Sequence, residues 1–320
     1  MIIYFYKKQF SKYYSIRDHF KIDQLSEILP KDIKVIIGND RELLKIADTV
    51  VVDLPIIQRF LDPDEKLEKQ DRQVWVAWDL ECDVNYPWIL SDNIKDFFDI
   101  WMTYHIDSDV YIPYFSYEYK DLLLIPPKQK EKNVCMYISS MVNKSGRMEY
   151  VLELMKYINI DSYGRWMKNC EIREDKGYTS KMDIISKYKF TIAFENAIGE
   201  DYVTEKFYEP LLSGSVPVYM GAPNIRRFSP GNDSYLDVRN YLDPKDLAKA
   251  INNYCRHDEL YCNLLEWKNR PLPVDLVDLI ETQRIHPILR LAEKVKDIRI
   301  KKLGAVLDNA NCLRLPHAKK

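Results

Sequence analysis

The sequence predicts an α/β protein with two doubly wound domains, and three observations support this prediction. Short apolar segments rich in β-branched residues alternate with helical stretches in both halves of the chain. This alternation favours parallel sheets that are covered by helices on both faces. The length of 320 residues suits two domains, and a hydrophobic content of 46% is sufficient for a core in each. We therefore expect two domains that face each other, with a ligand site in the cleft between them.

Three apolar segments in the N-terminal half are typical of buried parallel strands. They are Ile33–Gly38, Thr49–Leu54 and Val74–Trp78. A polar segment, Asp79–Tyr86, follows the third of them and places several carboxylates at a strand end. The apolar spacing then predicts a helix over Ile94–Trp101. The N-terminal half is thus predicted to form one α/β domain.

A proline pair at 126–127 and the charged run KQKEK at 128–132 mark the predicted linker between the domains. The sequence therefore predicts a first domain over residues 1–127 and a second over residues 128–275. Residues 276–320 are predicted to form a C-terminal helix and tail.

Composition and charge exclude several classes of function. A formal net charge of −2 gives no electrostatic attraction to nucleic acid. The six cysteines lack the spacing of a zinc site or of a disulfide framework. We recognise no signal peptide and no apolar run that could span a bilayer, so we expect a cytoplasmic protein. Apolar residues at helical spacing over 282–303 lie opposite basic ones, so this helix either packs back on the body or contacts a membrane surface.

The stretch Lys189–Gly221 is the most informative part of the chain. It begins with a predicted strand, Lys189–Phe194, and continues with a polar loop, Glu195–Tyr202. Thr204 is a suitable N-cap for a helix that starts immediately after it. Pro210 lies inside that helix and is expected to bend or shorten it. A loop and a helix start at the end of a buried strand form the ligand-binding position of open α/β sheets.

Charged side chains in this stretch predict an anion site. Glu205 suits the first turn of a helix, whereas Lys206 is unfavourable there unless an anion, such as a ligand phosphate, lies beside it. Arg147 is a second cation, near the start of a helix predicted over residues 146–158. Glu205 can accept hydrogen bonds from ribose hydroxyls, and Tyr202 can stack on or bond to a base. The chain contains neither a Walker P-loop nor a GxGxxG motif, so ATPase and dinucleotide dehydrogenase functions lack their main feature.

One long motif, residues 194–225, resembles a known family signature. It reads FENAIGEDYVTEKFYEPLLSGSVPVYMGAPNI and is similar to the signature of the α1,3/1,4-fucosyltransferases, glycosyltransferase family 10. Within that family it most resembles the plant and invertebrate members that fucosylate the N-glycan core. The likeness extends back through VWVAWDLE at 74–81, DSDVYIPYFSYEY at 107–119 and YISSMVNKSGRMEYVLELMK at 137–156. It covers roughly residues 74–238.

This resemblance implies a GT-B fold, with an acceptor-side N-terminal domain and a donor-side C-terminal domain. It implies transfer of L-fucose from GDP-β-L-fucose, with inversion, to a hydroxyl of a glycan acceptor, O3 of GlcNAc in particular. It implies no obligate cofactor, although a divalent metal could stimulate the reaction. Arg147 and Lys206 would hold the pyrophosphate, and Asn196, Tyr202 and Glu205 would bind the rest of the nucleotide and the fucose.

The resemblance also places the general base at Glu81, on the loop after a strand of the first domain. Asp79 and Asp83 flank it, so Asp79 as the base, or a structural or acceptor-binding role for all three, stays open. The run Asp107–Ser108–Asp109 has the form of the DxD motif that binds metal and nucleotide in GT-A transferases. It lies far along the chain from the donor motif, so a metal site there is the less favoured interpretation.

Two further functions stay open at this point. One is a transferase of the same fold that uses another nucleotide sugar, since only the resemblance specifies fucose. The other is a non-catalytic protein that binds a glycan or nucleotide, although the intact set of donor residues argues against it. The compartment would be the Golgi lumen instead of the cytoplasm if a targeting segment had been removed.

Overall fold

In the computed structural model, which describes residues 1–6, 25, 27–55 and 68–310, the chain forms two compact units. The first unit contains Met1–Glu81, Tyr86–Ile112 and Ile285–Lys320, and the second contains Cys82–Asn85 and Pro113–Arg284. The sequence predicts domain boundaries after residues 127 and 275. The structure differs because the chain from Pro113 onward packs with the second unit, while the C-terminal helix packs with the first.

Within the residues that the structure describes, the first unit is built on six parallel strands in the order β2-β1-β3-β4-β5-β6. The strands are β1 (Ile2–Tyr6), β2 (Lys34–Gly38), β3 (Thr49–Asp53), β4 (Val74–Asp79), β5 (Ile100–Thr103) and β6 (Val110–Tyr111). All six residues of β4 are buried, which is why this strand is continuously apolar until its last residue. The strands predicted from the sequence are therefore present, and β4 brings its polar end to the carboxyl edge of the sheet.

Two short helices of the first unit are α1 (Arg41–Ile46) and α2 (Asp92–Phe97). Asp40 caps α1 by accepting a hydrogen bond from the N–H of Glu42. The helix predicted over Ile94–Trp101 was too long, because α2 ends at Phe97. The β-favouring sequence that follows is buried as β5 instead.

The second unit has a five-stranded parallel sheet with the order β11-β10-β9-β7-β8. Its strands are β7 (Lys132–Met136), β8 (Asp161–Ser162), β9 (Tyr188–Phe194), β10 (Val216–Met220) and β11 (Leu236–Asp237). Because β8 lies on one side of β7 and β9 on the other, the strand order reverses between β7 and β9. The carboxyl ends of these two strands therefore form the topological switch point, where open α/β sheets bind ligands.

The helices of this unit are α3 (Tyr119–Leu122), α4 (Arg147–Leu154), α5 (Tyr178–Ser186), α6 (Glu205–Ser213), α7 (Pro244–Arg256), α8 (Asp258–Asn263) and α9 (Val274–Glu281). Apolar residues of α4, α7 and α8 pack with the strands of the sheet in one core. Helix α6 ends only at Ser213, so Pro210 does not terminate it. Gly214 ends the helix in a left-handed conformation with φ 72°, where a β-carbon would lie 2.5 Å from Cβ of Pro127.

The last helix, α10 (Pro287–Ala310), belongs to the first unit. Ile288, Leu291 and Val295 on its apolar side are completely buried. Arg290 Nη2 donates to the carbonyl of Tyr111 at 2.9 Å. The apolar side that a membrane-surface helix would need thus packs against protein. Among the described residues, we find no helix whose length and apolar character would let it cross a bilayer.

Candidate active site

Two loops meet at the switch point of the second unit. The β7–α4 loop (residues 137–146) leaves the carboxyl end of β7, and the β9–α6 loop (residues 195–204) leaves the carboxyl end of β9. Five of the six site residues predicted from the sequence lie in these loops or in the first turns of the helices that follow. The sixth, Glu81, lies in the first unit.

Arg147 is the first residue of α4, and it joins the β7–α4 loop to strand β9. Its side chain is only 1% exposed. Nη1 donates to the carbonyl of Phe194 at 3.1 Å, and Nη2 donates to those of Ser140 and Val142 at 2.8 and 3.1 Å. Nε is buried and has no partner among the described residues. Burial lowers the pKa of Arg147. The guanidinium is therefore primarily a clamp on backbone carbonyls, and it adds positive charge to the site.

Ser145 provides a second link between the two loops. Its hydroxyl donates to the carbonyl of Glu195 at 2.6 Å, and its N–H donates to the carbonyl of Asn196 at 3.1 Å. Gly146, the residue before α4, has a φ of 73° and no side chain to cap the helix. Asn143 takes over this role, because its Oδ1 accepts the N–H of Met148 at 3.0 Å. Local hydrogen bonds thus hold both loops at the switch point.

Glu195 is the first residue after β9, and its carboxylate is completely buried. Oε1 accepts the N–H of Thr204, and Oε2 accepts the hydroxyl of Thr204, both at 2.8 Å. Oε2 also lies 3.4 Å from Nζ of Lys206. Burial raises the pKa of Glu195, and the nearby ammonium opposes this shift. Glu195 is not among the site residues predicted from the sequence. Its sequence signals are a carboxylate directly after an apolar strand and a place within the family motif.

Thr204 caps α6, as predicted, since its hydroxyl oxygen accepts the N–H of Lys206 at 3.4 Å. The Lys206 ammonium donates to Oγ1 of Thr204 at 2.9 Å and to Oε1 of Glu205 at 3.0 Å. Burial alone would lower the pKa of Lys206, but the neighbouring carboxylates of Glu205 and Glu195 have the larger effect and raise the pKa above its usual value. Burial alone would raise the pKa of Glu205, but the ammonium groups of Lys206 and Lys181 have the larger effect and lower it to about 2.

The anion expected beside Lys206 at the start of this helix is therefore supplied by the protein itself. Two carboxylates of the protein, Glu195 and Glu205, already neutralise the lysine. They differ in accessibility, because the Glu205 side chain is 40% exposed whereas that of Glu195 is fully buried. A ligand anion can therefore replace Glu205 beside Lys206 far more easily than it can replace Glu195.

Asn196 and Tyr202 lie in the β9–α6 loop and are mostly buried. Oδ1 of Asn196 accepts a hydrogen bond from Nδ2 of Asn85, which belongs to the same unit, at 3.2 Å. The Tyr202 ring is 2% exposed and stands edge-on to Tyr114, with the ring centroids 6.3 Å apart. A ring that is so deeply buried presents little surface to a base. The half-buried Tyr114, which the sequence argument did not single out, is the more accessible aromatic side chain of the pair.

Close packing and an unusual backbone conformation constrain the β9–α6 loop. A β-carbon on Gly221, just after β10, would lie 2.3 Å from Oη of Tyr219 and 2.7 Å from Cγ of Glu195, so only glycine fits there. Asp201 has a φ of 62°, in the left-handed region that is uncommon for residues other than glycine. Asn224 holds it by two reciprocal hydrogen bonds, at 3.1 and 2.8 Å. Such a constrained backbone is typical of functional sites.

In the first unit, the candidate base Glu81 follows the carboxyl end of β4 and is partly exposed. Asp79 is 2% exposed, and its Oδ1 accepts the N–H of Glu81 at 2.7 Å. Asp79 therefore shapes the turn on which Glu81 lies. In the DxD segment both aspartates are exposed, and Oδ2 of Asp109 accepts the N–H of Trp101 at 2.9 Å. One of the two carboxylates thus has a structural partner.

Comparisons with known proteins agree with the motif. The family model for the C-terminal domain of glycosyltransferase family 10 (fucosyltransferase) matches residues 127–304. The model for the N-terminal domain of fucosyltransferases matches residues 1–115. Together they cover both units of the structure, and they match the predicted family.

Similar curated proteins include GDP-fucose protein O-fucosyltransferase 3 of Xenopus tropicalis, which is 45% identical over 130 residues. These residues are 39% of this chain and 28% of that protein. A putative fucosyltransferase-like protein of Arabidopsis thaliana is 36% identical over 196 residues, which are 61% of this chain and 37% of that protein. The chain thus spans about a third of the length of these relatives. The predicted plant and invertebrate core subtype stays a prediction.

Among solved structures, the crystal structure of an α1,3-fucosyltransferase with GDP-fucose superimposes with a TM-score of 0.60 at 15% identity. The match covers 92% of this chain and 89% of that one. This likeness confirms the predicted GT-B class of fold, with two parallel α/β sheets. The match of the family model to more than half of the sequence shows that the chain belongs to glycosyltransferase family 10, the fucosyltransferases.

Proposed function

We propose that this protein transfers L-fucose from GDP-β-L-fucose to an acceptor hydroxyl, with inversion at the anomeric carbon. The observation that carries the proposal is the charged cluster at the switch point, where Arg147, Lys206 and Glu205 lie around the start of α6. Positive side chains and a helix N-terminus together favour the diphosphate of a nucleotide sugar. Membership of the family supports fucose as the sugar.

The donor residues have distinct tasks in this mechanism. Lys206 binds the diphosphate after exchanging its contact with Glu205 for a phosphate oxygen. The released Glu205 carboxylate can then accept hydrogen bonds from ribose hydroxyls, while Asn196 and Tyr202 contact the remainder of the nucleotide and the fucose. Negative charge grows on the departing GDP as the glycosidic bond breaks. Lys206 and the field of Arg147 stabilise that charge more in the transition state than in the ground state.

An inverting transfer also needs a base that removes the proton of the attacking hydroxyl. We assign this role to Glu81, which is partly exposed at the carboxyl edge of the first unit's sheet. Asp79 is less suitable because it is buried and already accepts the N–H of Glu81. We expect no metal requirement, because Lys206 and Arg147 supply the positive charge that a metal would otherwise provide.

The acceptor hydroxyl that we propose first is O3 of a GlcNAc residue in a glycan. A specific observation favours a second candidate, a hydroxyl of a protein. The Xenopus tropicalis relative, which is 45% identical over its matched part, is named a protein O-fucosyltransferase. Both acceptors need the same donor site and the same base, so the acceptor-side loops decide between them.

Incubation with GDP-fucose, other GDP-sugars and UDP-sugars tests the proposal. The acceptor panel contains GlcNAc, LacNAc, an N-glycan core and an unglycosylated folded protein, with GDP release and product linkage as the readouts. Transfer only from GDP-fucose is the expected result. Transfer from another nucleotide sugar would assign a different donor. Glycan binding without nucleotide release from any donor would indicate a non-catalytic protein.

The Glu81→Gln variant tests the base. It is expected to bind GDP as tightly as the wild type, by calorimetry, and to lose transfer, because glutamine cannot accept the proton. Asp83→Asn is the matched control, since it removes a carboxylate two residues away. Near-normal turnover of the Glu81→Gln variant would reject this residue as the base.

A further inference from the structure

The Glu195 carboxylate is the most completely buried acid of the donor site, and the proposed reaction does not use it directly. Its side chain is 0% exposed. It accepts two hydrogen bonds from Thr204 and makes a third, longer contact with the ammonium of Lys206. A buried carboxylate is costly unless its oxygens are paired, and these three groups pair it.

The contacts of Glu195 connect both ends of the β9–α6 loop. Glu195 is the first residue of the loop, and Thr204, the last, is the N-cap of α6. The main chain of Glu195 is also fixed, because its N–H donates to the carbonyl of Met220 at 2.8 Å and its carbonyl accepts the hydroxyl of Ser145 at 2.6 Å. Glu195 therefore connects the start of α6, through its carboxylate, to two neighbouring strands and the β7–α4 loop, through its main chain.

The same contacts determine where the Lys206 ammonium lies. The hydroxyl of Thr204 donates to Glu195, which leaves its oxygen lone pairs available, and one of them accepts a hydrogen bond from Lys206. Lys206 is thus held by Glu195 directly and also through Thr204. Glu205, its other carboxylate partner, is 40% exposed and does not fix the ammonium from the buried side.

We propose that Glu195 is a positioning residue of the donor site, which holds Lys206 and the first turn of α6 in the geometry that receives a diphosphate. This inference rests on the proposed function, because it assumes a diphosphate ligand. Glu195 itself makes no contact with the diphosphate in this proposal. The carboxylate acts through Thr204 and Lys206.

A purely electrostatic effect of Glu195 would have the opposite sign. A negative charge beside Lys206 repels an incoming diphosphate, so its removal alone would tighten binding. If Glu195 positions Lys206, the Glu195→Gln substitution should instead weaken GDP binding. The amide of glutamine would present N–H groups to the Thr204 hydroxyl and to the Lys206 ammonium, which face this side chain as hydrogen-bond donors. The direction of the change in GDP affinity therefore separates the two effects.

The test compares GDP with GMP and guanosine by calorimetry, on the wild type and on Glu195→Gln. We expect the variant to bind GDP at least about tenfold more weakly, as for a lost hydrogen bond to a charged group, and guanosine within twofold of the wild type. Lys206→Met provides the second arm. The part of the effect that Glu195 exerts through Lys206 is lost in this background, so adding Glu195→Gln to Lys206→Met should weaken GDP binding less than it weakens that of the wild type.

Glu209→Gln is the matched control. Glu209 lies on the same helix, is 5% exposed and pairs with Lys181, so its replacement also removes a buried carboxylate–lysine pair from α6. We expect a lower melting temperature for this variant but GDP affinity within twofold of the wild type. Unchanged or tighter GDP binding by Glu195→Gln would overturn the positioning role, as would an equal loss for guanosine. A wild type that binds no GDP would instead refute the proposed function.

Discussion

Replacing Lys268 by methionine is expected to remove a pH dependence of stability from the second unit. The Lys268 ammonium is 7% exposed and donates to the carbonyls of Leu123 and Leu211, at 2.5 and 3.1 Å. Burial lowers its pKa from 10.5 to about 8. Lys130 is similar: burial and the charge of Lys268 lower its pKa to about 8, and its Nζ donates to the carbonyl of Ser186 at 2.8 Å.

The magnitude follows from the two pKa values of Lys268. Below pH 8 the lysine is charged in both the folded and unfolded states, and the folded state bears the cost of burying that charge. Between about pH 8 and 10.5 the unfolded state binds more protons than the folded state, so the free energy of unfolding rises with pH. From pH 7 to pH 9 the rise is about 1 kcal/mol for this lysine. Methionine has a similar volume and carries no charge, so it eliminates the rise.

Urea titrations at pH 7, 8 and 9 measure the effect. The wild type is expected to gain stability across this range, and Lys268→Met to gain distinctly less, since the pKa of Lys130 also recovers in part. The absolute stability at pH 7 is not the readout, because methionine also removes the two hydrogen bonds that Lys268 donates to carbonyls. Lys128→Met, which replaces a 71% exposed lysine, is the control and should keep the wild-type slope. A Lys268→Met variant with the full wild-type rise would refute the reasoning.

Three other predictions concern the donor site and the metal question. Gly221→Ala places a β-carbon 2.3 Å from Oη of Tyr219, so urea titration should show a loss of roughly 2 kcal/mol or more, and an unchanged midpoint would contradict the clash. Arg147→Lys cannot serve all three backbone carbonyls, so we expect a loss of about 2 kcal/mol by urea titration and a higher KM for GDP-fucose. Wild-type stability and KM in that variant would show that the clamp is dispensable. Transfer should continue at its normal rate in excess EDTA, and a loss that Mg²⁺ or Mn²⁺ restores would show that the reaction requires a metal.

The strands β3, β4 and β9 could be predicted because they are almost completely buried and therefore mainly apolar. The end of α6 was also predictable, since Gly214 follows its last turn and adopts the positive φ that glycine favours. Helix lengths were less predictable. The residues after Phe97 are compatible with either a helix or a strand, and only their pairing with β4 and β6 makes them β5.

The residue types of the donor site could be predicted, but their contacts could not. Arg147 was expected to bind a ligand phosphate, and the structure shows that its guanidinium holds three carbonyls, two from the β7–α4 loop and one from strand β9. These carbonyls belong to residues 7, 5 and 47 positions away along the chain, so no local pattern indicates them. Glu195 was missed for the same reason, because its partner Thr204 lies at the other end of the loop.

The charges of the site also determine which group a donor must displace. The Lys206 ammonium already contacts two carboxylates, Glu195 and Glu205, so a diphosphate oxygen that binds it must take the place of one of them. One carboxylate therefore has to leave Lys206. Glu195 is fully buried and holds three contacts, so its departure would leave an unpaired charge in the interior. Glu205 is 40% exposed and can turn toward solvent or a ribose. We therefore expect Glu205 to exchange with the diphosphate while Glu195 keeps Lys206 in place.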